Sequence, residues 1–190
     1  GDVYKRQADI FKNKTKIVRE SAFIAMERHA GCREGGKGYP CRAIRTKDYL
    51  CIRNFDPGRW PAGSPERKHC VRHIRYGEVD PSPTKTVMMD DPKYSKFANL
   101  AFGKRPAEEL YRISDDQYQL RNHADQSEFE EILSQLRKRL HQHLKKTGDP
   151  RLTNKPALWD YYPFSGLPSF PVGRLTPCQH PLIPRNQIHL

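Results

Sequence analysis

The sequence predicts an α+β fold: a small antiparallel β-sheet of three to four strands packed against one long C-terminal helix, with long proline-rich loops and tail. Three observations carry this. Short runs rich in β-branched and aromatic residues recur around 21–27, 41–55 and 109–113, bounded by turn-forming residues. A single stretch, about 127–147, holds apolar residues at helical spacing between a capping signal and a Gly/Pro stop. Only 36% of residues are hydrophobic and 16 are proline, so the core is small and the loops extensive.

Element by element, the chain opens on GDVYKRQ, with Gly1 in place of Met. Residues 1–7 resemble translated adapter sequence and are set apart as a non-native scar. Residues 8–190 are then expected to form a single subdomain, its sheet spanning about 16–113. In KIVRESAFIAMER, Phe23, Ile24, Ala25 and Met26 lack a helical period, and a short strand over Ser21–Glu27 fits them. The glycine-rich HAGCREGGKGYP must be a loop. A hairpin follows, with Ala43 and Ile44 in one strand, Tyr49, Leu50, Ile52 and Phe55 in the next, and Thr46-Lys47-Asp48 as the connection.

Residues 56–92 contain six prolines and no sustained period, which predicts one long loop. Tyr94, Phe97, Ala98 and Ala101 then stand at i, i+3, i+4 and i+7 before Gly103, the spacing of a short amphipathic helix over Lys93–Phe102. ELYRI, Glu109–Ile113, reads as another strand. Ser127 and Glu130 form a Ser-x-x-Glu capping box for the long helix, whose stripe is Phe129, Ile132, Leu133, Leu136, Leu140 and Leu144. Arg137, Lys138, Lys145 and Lys146 are expected on its solvated face, where cations near the C-terminal end suit the helix dipole. The proline-rich tail, 151–190, is expected to be extended.

Composition bounds function as well. A net charge of +12, concentrated toward the N-terminal half, attracts polyanions, whether nucleic acid or sulfated glycan. No helix-turn-helix, zinc-finger or RNP-like pattern is present, which disfavours nucleic acid. No apolar run reaches the roughly 18 residues of a membrane span, so no membrane partner is expected. Five irregularly spaced cysteines argue against a disulfide framework. Cys32, Cys41, His69, Cys70 and His73 are zinc-type donors, but without a Cys-x2–4-Cys knuckle no metal is expected on them.

The blocks YPCRAIRTKDYLCIRNFDPGRWPAG, FGKRPAEELYRISDDQYQLRNHAD and TGDPR, in that order over about residues 16–151, resemble the C-terminal subdomain of sulfatases, closest to the heparan N-sulfatase branch. The tail segment TPCQHPL is similar to the end of that branch. The resemblance implies a parent hydrolase, exported from the cytoplasm, that removes N- or O-linked sulfate from a sulfated carbohydrate. Its formylglycine nucleophile and calcium would reside in an N-terminal catalytic domain of the same polypeptide, the principal partner of this part. No cofactor and no catalytic residue are expected in residues 1–190, and the fragment alone is expected to be inactive.

Cys41-Arg42-Ala43-Ile44-Arg45 approaches the family's Cys-x-Pro/Ala-Ser-Arg nucleophile motif, but Ile44 stands in the serine place, within a hairpin rather than a strand-to-helix turn. Cys41 is therefore read as a small buried hydrophobe. Arg112 and Gln117 also depart from the family's Glu-Leu-Tyr-Asp and Asp-Pro.

The expected substrate-binding residues are His29, Arg28 and Glu27, at the end of the first strand, because the resemblance turns that strand end toward the pocket and a cation suits a sulfate. Arg42, Arg45 and Arg53 are expected on the solvated hairpin face. Trp60 and Arg59 could line a sugar, but a tryptophan within a proline-rich loop is read first as that loop's hydrophobic anchor. The alternative, from a different class, is a free-standing basic module binding nucleic acid or anionic glycan.

Overall fold

A computed structural model describes residues 11–12, 19–70 and 72–152. Strands β1 (Ala22–Met26), β2 (Cys41–Arg45), β3 (Tyr49–Asn54) and β4 (Glu108–Arg112) form one antiparallel sheet in chain order. Helices α1 (Pro83–Asp90), α2 (Ser95–Phe102) and α3 (Glu130–Lys146) complete the α+β fold, with short 3-10 turns between them. The expected tail lies outside the described residues beyond Leu152.

The chain divides into two compact units. The first contains Arg42–Arg53, Glu108–His143 and the described residues before Met26. Its hairpin is closed by Thr46: the Thr46 N–H donates to the Tyr49 carbonyl at 2.8 Å, and the Tyr49 N–H donates to Thr46 Oγ1 at 3.0 Å. β3 and β4 pair with Leu50 opposite Tyr111, Cys51 opposite Leu110 and Arg53 opposite Glu108. Side chains alternate across a strand. Ala43, Leu50 and Tyr111 therefore cluster on one face, with Ile52 and Ile113 against them, while Cys51, Leu110 and Glu108 share the other.

α3 lies on that second face, because its Arg137 reaches Glu108. Phe129, Leu133, Leu136, Leu140 and Leu144 are buried, as the spacing predicts, and Ile132 is half-buried at the stripe's border. Beyond β4, Asn122 Oδ1 accepts from the Leu110 N–H and the His123 N–H donates to the Leu110 carbonyl, so the segment before the helix pairs along the strand.

Several expectations need correction in this unit. The capping box does not form: a 3-10 turn, Ser127–Phe129, precedes the helix, and Ser127 contributes its backbone carbonyl to the Glu130 N–H. Arg137 is half-buried in its bond to Glu108 rather than solvated, unlike Lys138, Lys145 and Lys146. Arg42 is buried at 3% exposure, against the expected solvated position that Arg45 does occupy. Ile44, Leu50, Cys51, Leu110 and Tyr111 are buried on both faces of β2, β3 and β4. Only edge strand β1 remains largely exposed.

The second unit contains Met26–Cys41, Asn54–Ala107 and the described residues from Leu144. The expected continuous loop over 56–92 is interrupted by α1, which Ser82 caps by accepting from the Lys85 N–H at 3.1 Å, with Pro83 in the first turn. Ser-Pro is a helix-start signal in itself. It was obscured because α1 carries no apolar period. Lys85 is buried, its Nζ donating to the carbonyls of Tyr76 and Val79 at 2.9 and 2.6 Å. α2 forms where its spacing predicts, yet Phe97 and Ala101 on the expected stripe are exposed; the helix is held through Phe102, stacked on Tyr76 at 4.8 Å.

Candidate functional site

Glu27, Arg28 and His29 directly follow β1 and belong to the second unit. Their backbone is fixed from one side by the return of the glycine loop: the Tyr39 N–H donates to the Glu27 carbonyl at 2.8 Å. Gly38 permits this approach, since a Cβ there would stand 3.0 Å from the Glu27 carbonyl carbon and oxygen. Arg59 secures the same turn by donating to the Gly38 carbonyl at 2.9 Å.

The three side chains have different surroundings. Glu27 accepts two bonds from Arg151, from Nε at 3.0 Å and from Nη2 at 2.5 Å, with both partners mostly buried. Arg28 donates to the Gly36 carbonyl at 3.2 Å and remains half-buried. His29 is the exposed member, its side chain 79% accessible, and its Nδ1 lies 2.8 Å from Glu78 Oε2.

Glu78 is the hub. Its Oε1 accepts from Arg33 Nη1 at 2.8 Å, and the carboxylate lies close enough to the Cys32 thiol to disfavour its ionisation. Arg33 is buried and donates further to the carbonyls of Trp60 and Pro61 at 2.7 and 2.6 Å, so its charge is both paired and hydrogen-bonded. Burial, with the carboxylate adding to it, pushes the Cys32 thiol up to about 12. A thiol so held is protonated at neutral pH and a slow nucleophile. The arrangement of Cys32, His29 and Glu78 therefore orients His29 rather than activating the sulfur.

The sequence singled out His29, Arg28 and Glu27 but missed Arg33, Glu78 and Arg151. Glu78 falls in the irregular 56–92 segment, where no spacing signals a partner 49 residues from His29. Trp60 anchors its loop as expected, edge-on to Tyr76 at 6.0 Å with Lys104 Nζ 5.2 Å from its ring centre. Cys41 is half-buried at the start of β2, in strand rather than at a strand-to-helix turn. Among the described residues, no group of three or more His, Cys, Asp or Glu side chains could hold a metal ion, and no helix is long and apolar enough to cross a membrane.

No protein-family model matches the chain, and no curated protein matches it.

Proposed function

We propose that this chain is the C-terminal part of a sulfatase acting on a sulfated carbohydrate, with the strand end at His29 completing the substrate pocket of an N-terminal catalytic domain. The observation that carries the reading is how the sulfatase-like blocks fall on the fold. The first block is the β2–β3 hairpin, the second runs through β4 into the segment paired beside it, and TGDPR closes α3. Each block is thus a structural unit of a sheet with one long helix.

The site supports the reading chemically. With Nδ1 bonded to the Glu78 carboxylate, the His29 ring is held in one orientation while most of it stays exposed. The exposed edge of the ring leaves Nε2 to hydrogen-bond a polar group of a sulfated sugar. Arg33 orients Glu78 from behind.

The gene upstream of residue 8 provides the test. A continuous reading frame encoding Cys-x-Pro/Ala-Ser-Arg is expected there, and the joined protein should hydrolyse an aryl sulfate or an N-sulfated glucosamine. A start codon immediately before residue 8 with no such frame would overturn the reading. It would favour a free-standing polyanion-binding module, for which the net charge of +12 is the supporting observation.

A further inference from the structure

Within the second unit, two cysteines separated in sequence converge on one point. A Cβ placed on Gly77 would stand 2.4 Å from Cys70 Sγ, 3.6 Å from Cys70 Cβ and 2.9 Å from Cys32 Cβ. A Cβ on Gly63 would likewise meet Cys32 Sγ at 2.8 Å and the Gly77 nitrogen at 2.8 Å. Gly63, at φ +93°, and Gly77 thus leave the space that the two sulfurs occupy. Both cysteines are buried, Cys32 at 0% and Cys70 at 4% exposure.

The surrounding backbone fixes this convergence. Ser64 N–H donates to the Cys32 carbonyl at 2.7 Å, Tyr76 N–H to the Ser64 carbonyl at 2.9 Å and Glu78 N–H to the Ala62 carbonyl at 3.1 Å. His73 N–H donates to the Cys70 carbonyl at 2.8 Å. A disulfide requires its Cβ atoms roughly 3.5–4.5 Å apart. With their Cβ atoms 2.9 and 3.6 Å from one shared point, the backbone holds the two cysteines within a range that includes that separation, and rotation about each Cα–Cβ bond then turns the sulfurs toward each other.

We propose that Cys32 and Cys70 form a disulfide when the chain meets a low-molecular-weight disulfide such as glutathione disulfide. The thiolate of Cys70, the more exposed of the two, attacks one sulfur of the oxidant and releases one thiolate. The mixed disulfide that results is attacked at Cys70 Sγ by the Cys32 sulfur after it loses its proton, which releases the second small thiol. Two protein thiols are oxidised and one small disulfide is reduced to two thiols. Because burial holds the Cys32 proton, the second step is the slow one. The bond would close the chain between residues 32 and 70, fastening the glycine loop that carries Arg33 to the irregular segment beyond β3. Such bonds persist in oxidising compartments. The proposal does not rest on the sulfatase reading.

The test uses the 190-residue chain, incubated folded with glutathione disulfide, alkylated with N-ethylmaleimide in denaturant and digested with trypsin. The expected product is HAGCR linked to HCVR, lost on reduction, with Cys41, Cys51 and Cys178 alkylated. Alkylation of both Cys32 and Cys70, or linkage of either to another cysteine, overturns the proposal. The linked chain should melt about 5–10 °C higher than the reduced one. Cys70→Ser should abolish that rise and Cys41→Ser should keep it. A linked chain that melts no higher would show that the fold does not accommodate the bond.

Discussion

Arg137 on α3 grips Glu108 on β4 through two parallel hydrogen bonds, from Nε at 2.9 Å and from Nη2 at 2.8 Å. The pair fixes the helix across the sheet, and it makes stability depend on pH. Hydrogen bonding from Arg137 holds the Glu108 carboxyl below the usual carboxylate range. A group depressed in the folded state stabilises fully above its unfolded pKa, about 4.3 for glutamate, and loses that contribution as pH falls through the folded value. Glu108→Gln should therefore reduce the acid-induced loss of Tm below about pH 5. At pH 7 the substitution should cost only about 0.2–1 kcal/mol, because both side chains are partly exposed and screened. Identical Tm-against-pH curves for the two proteins would show that the pair contributes nothing.

The helix's own attachment is apolar. Leu136 and Leu133 are 4% and 1% exposed, so truncating either to alanine removes buried methyl groups and leaves a cavity. Leu136→Ala should cost roughly 2–5 kcal/mol in denaturant unfolding. Ile132→Ala, at the half-buried border, should cost less. If Leu136→Ala unfolds at the parent's denaturant midpoint, the stripe does not hold the helix.

The parts legible in the sequence were those with a strong period. The hairpin and β4 emerged within a residue or two of their observed bounds and α3 within three, because alternation and the 3.6-residue stripe report burial directly. α1 was not legible, since its capping serine and proline stand without any apolar face. The stripe of α2 was visible yet misleading, as spacing shows that residues share a side and not that anything covers it. At the candidate site His29 was found by position, whereas Glu78 and Arg33 were not. Their association depends on how two irregular segments meet, and no local pattern encodes that.

Gly77 offers a separate test of the second unit. Alanine there would place Cβ 2.4 Å from Cys70 Sγ, which requires something to shift. Gly77→Ala should destabilise by about 1–3 kcal/mol, the usual range for overpacking. Combining it with Cys70→Ala removes the closest atom, so part of the loss should be recovered. A double variant no more stable than Gly77→Ala would place the strain elsewhere.

The position of Cys41 in β2, followed by a buried Arg42, leads to a prediction about activity. The purified 190-residue chain should not turn over an aryl sulfate, and Cys41→Ser should change nothing. Turnover that Cys41→Ser abolishes would restore Cys41 as a nucleophile and overturn the account of the hairpin as scaffold.

The last prediction concerns β1. Strands β2 to β4 are largely covered, but on edge strand β1 Phe23, Ile24 and Met26 are 37%, 48% and 43% exposed. Phe23 is partly engaged, its ring stacked on His143 at 3.7 Å, and Arg139 donates to nearby Ser21 at 3.1 Å. Ile24, on the opposite side of the strand by alternation, is the more exposed residue. An apolar edge strand is a template for pairing with another chain, and natural edges are commonly blunted by lysine. The isolated chain should therefore bind a hydrophobic dye or self-associate as concentration rises. Ile24→Lys should suppress both without lowering Tm, because the residue contributes little to the core. A parent chain that stays monomeric and dye-free, or an Ile24→Lys variant that associates as strongly, would show that this edge is not the adhesive surface.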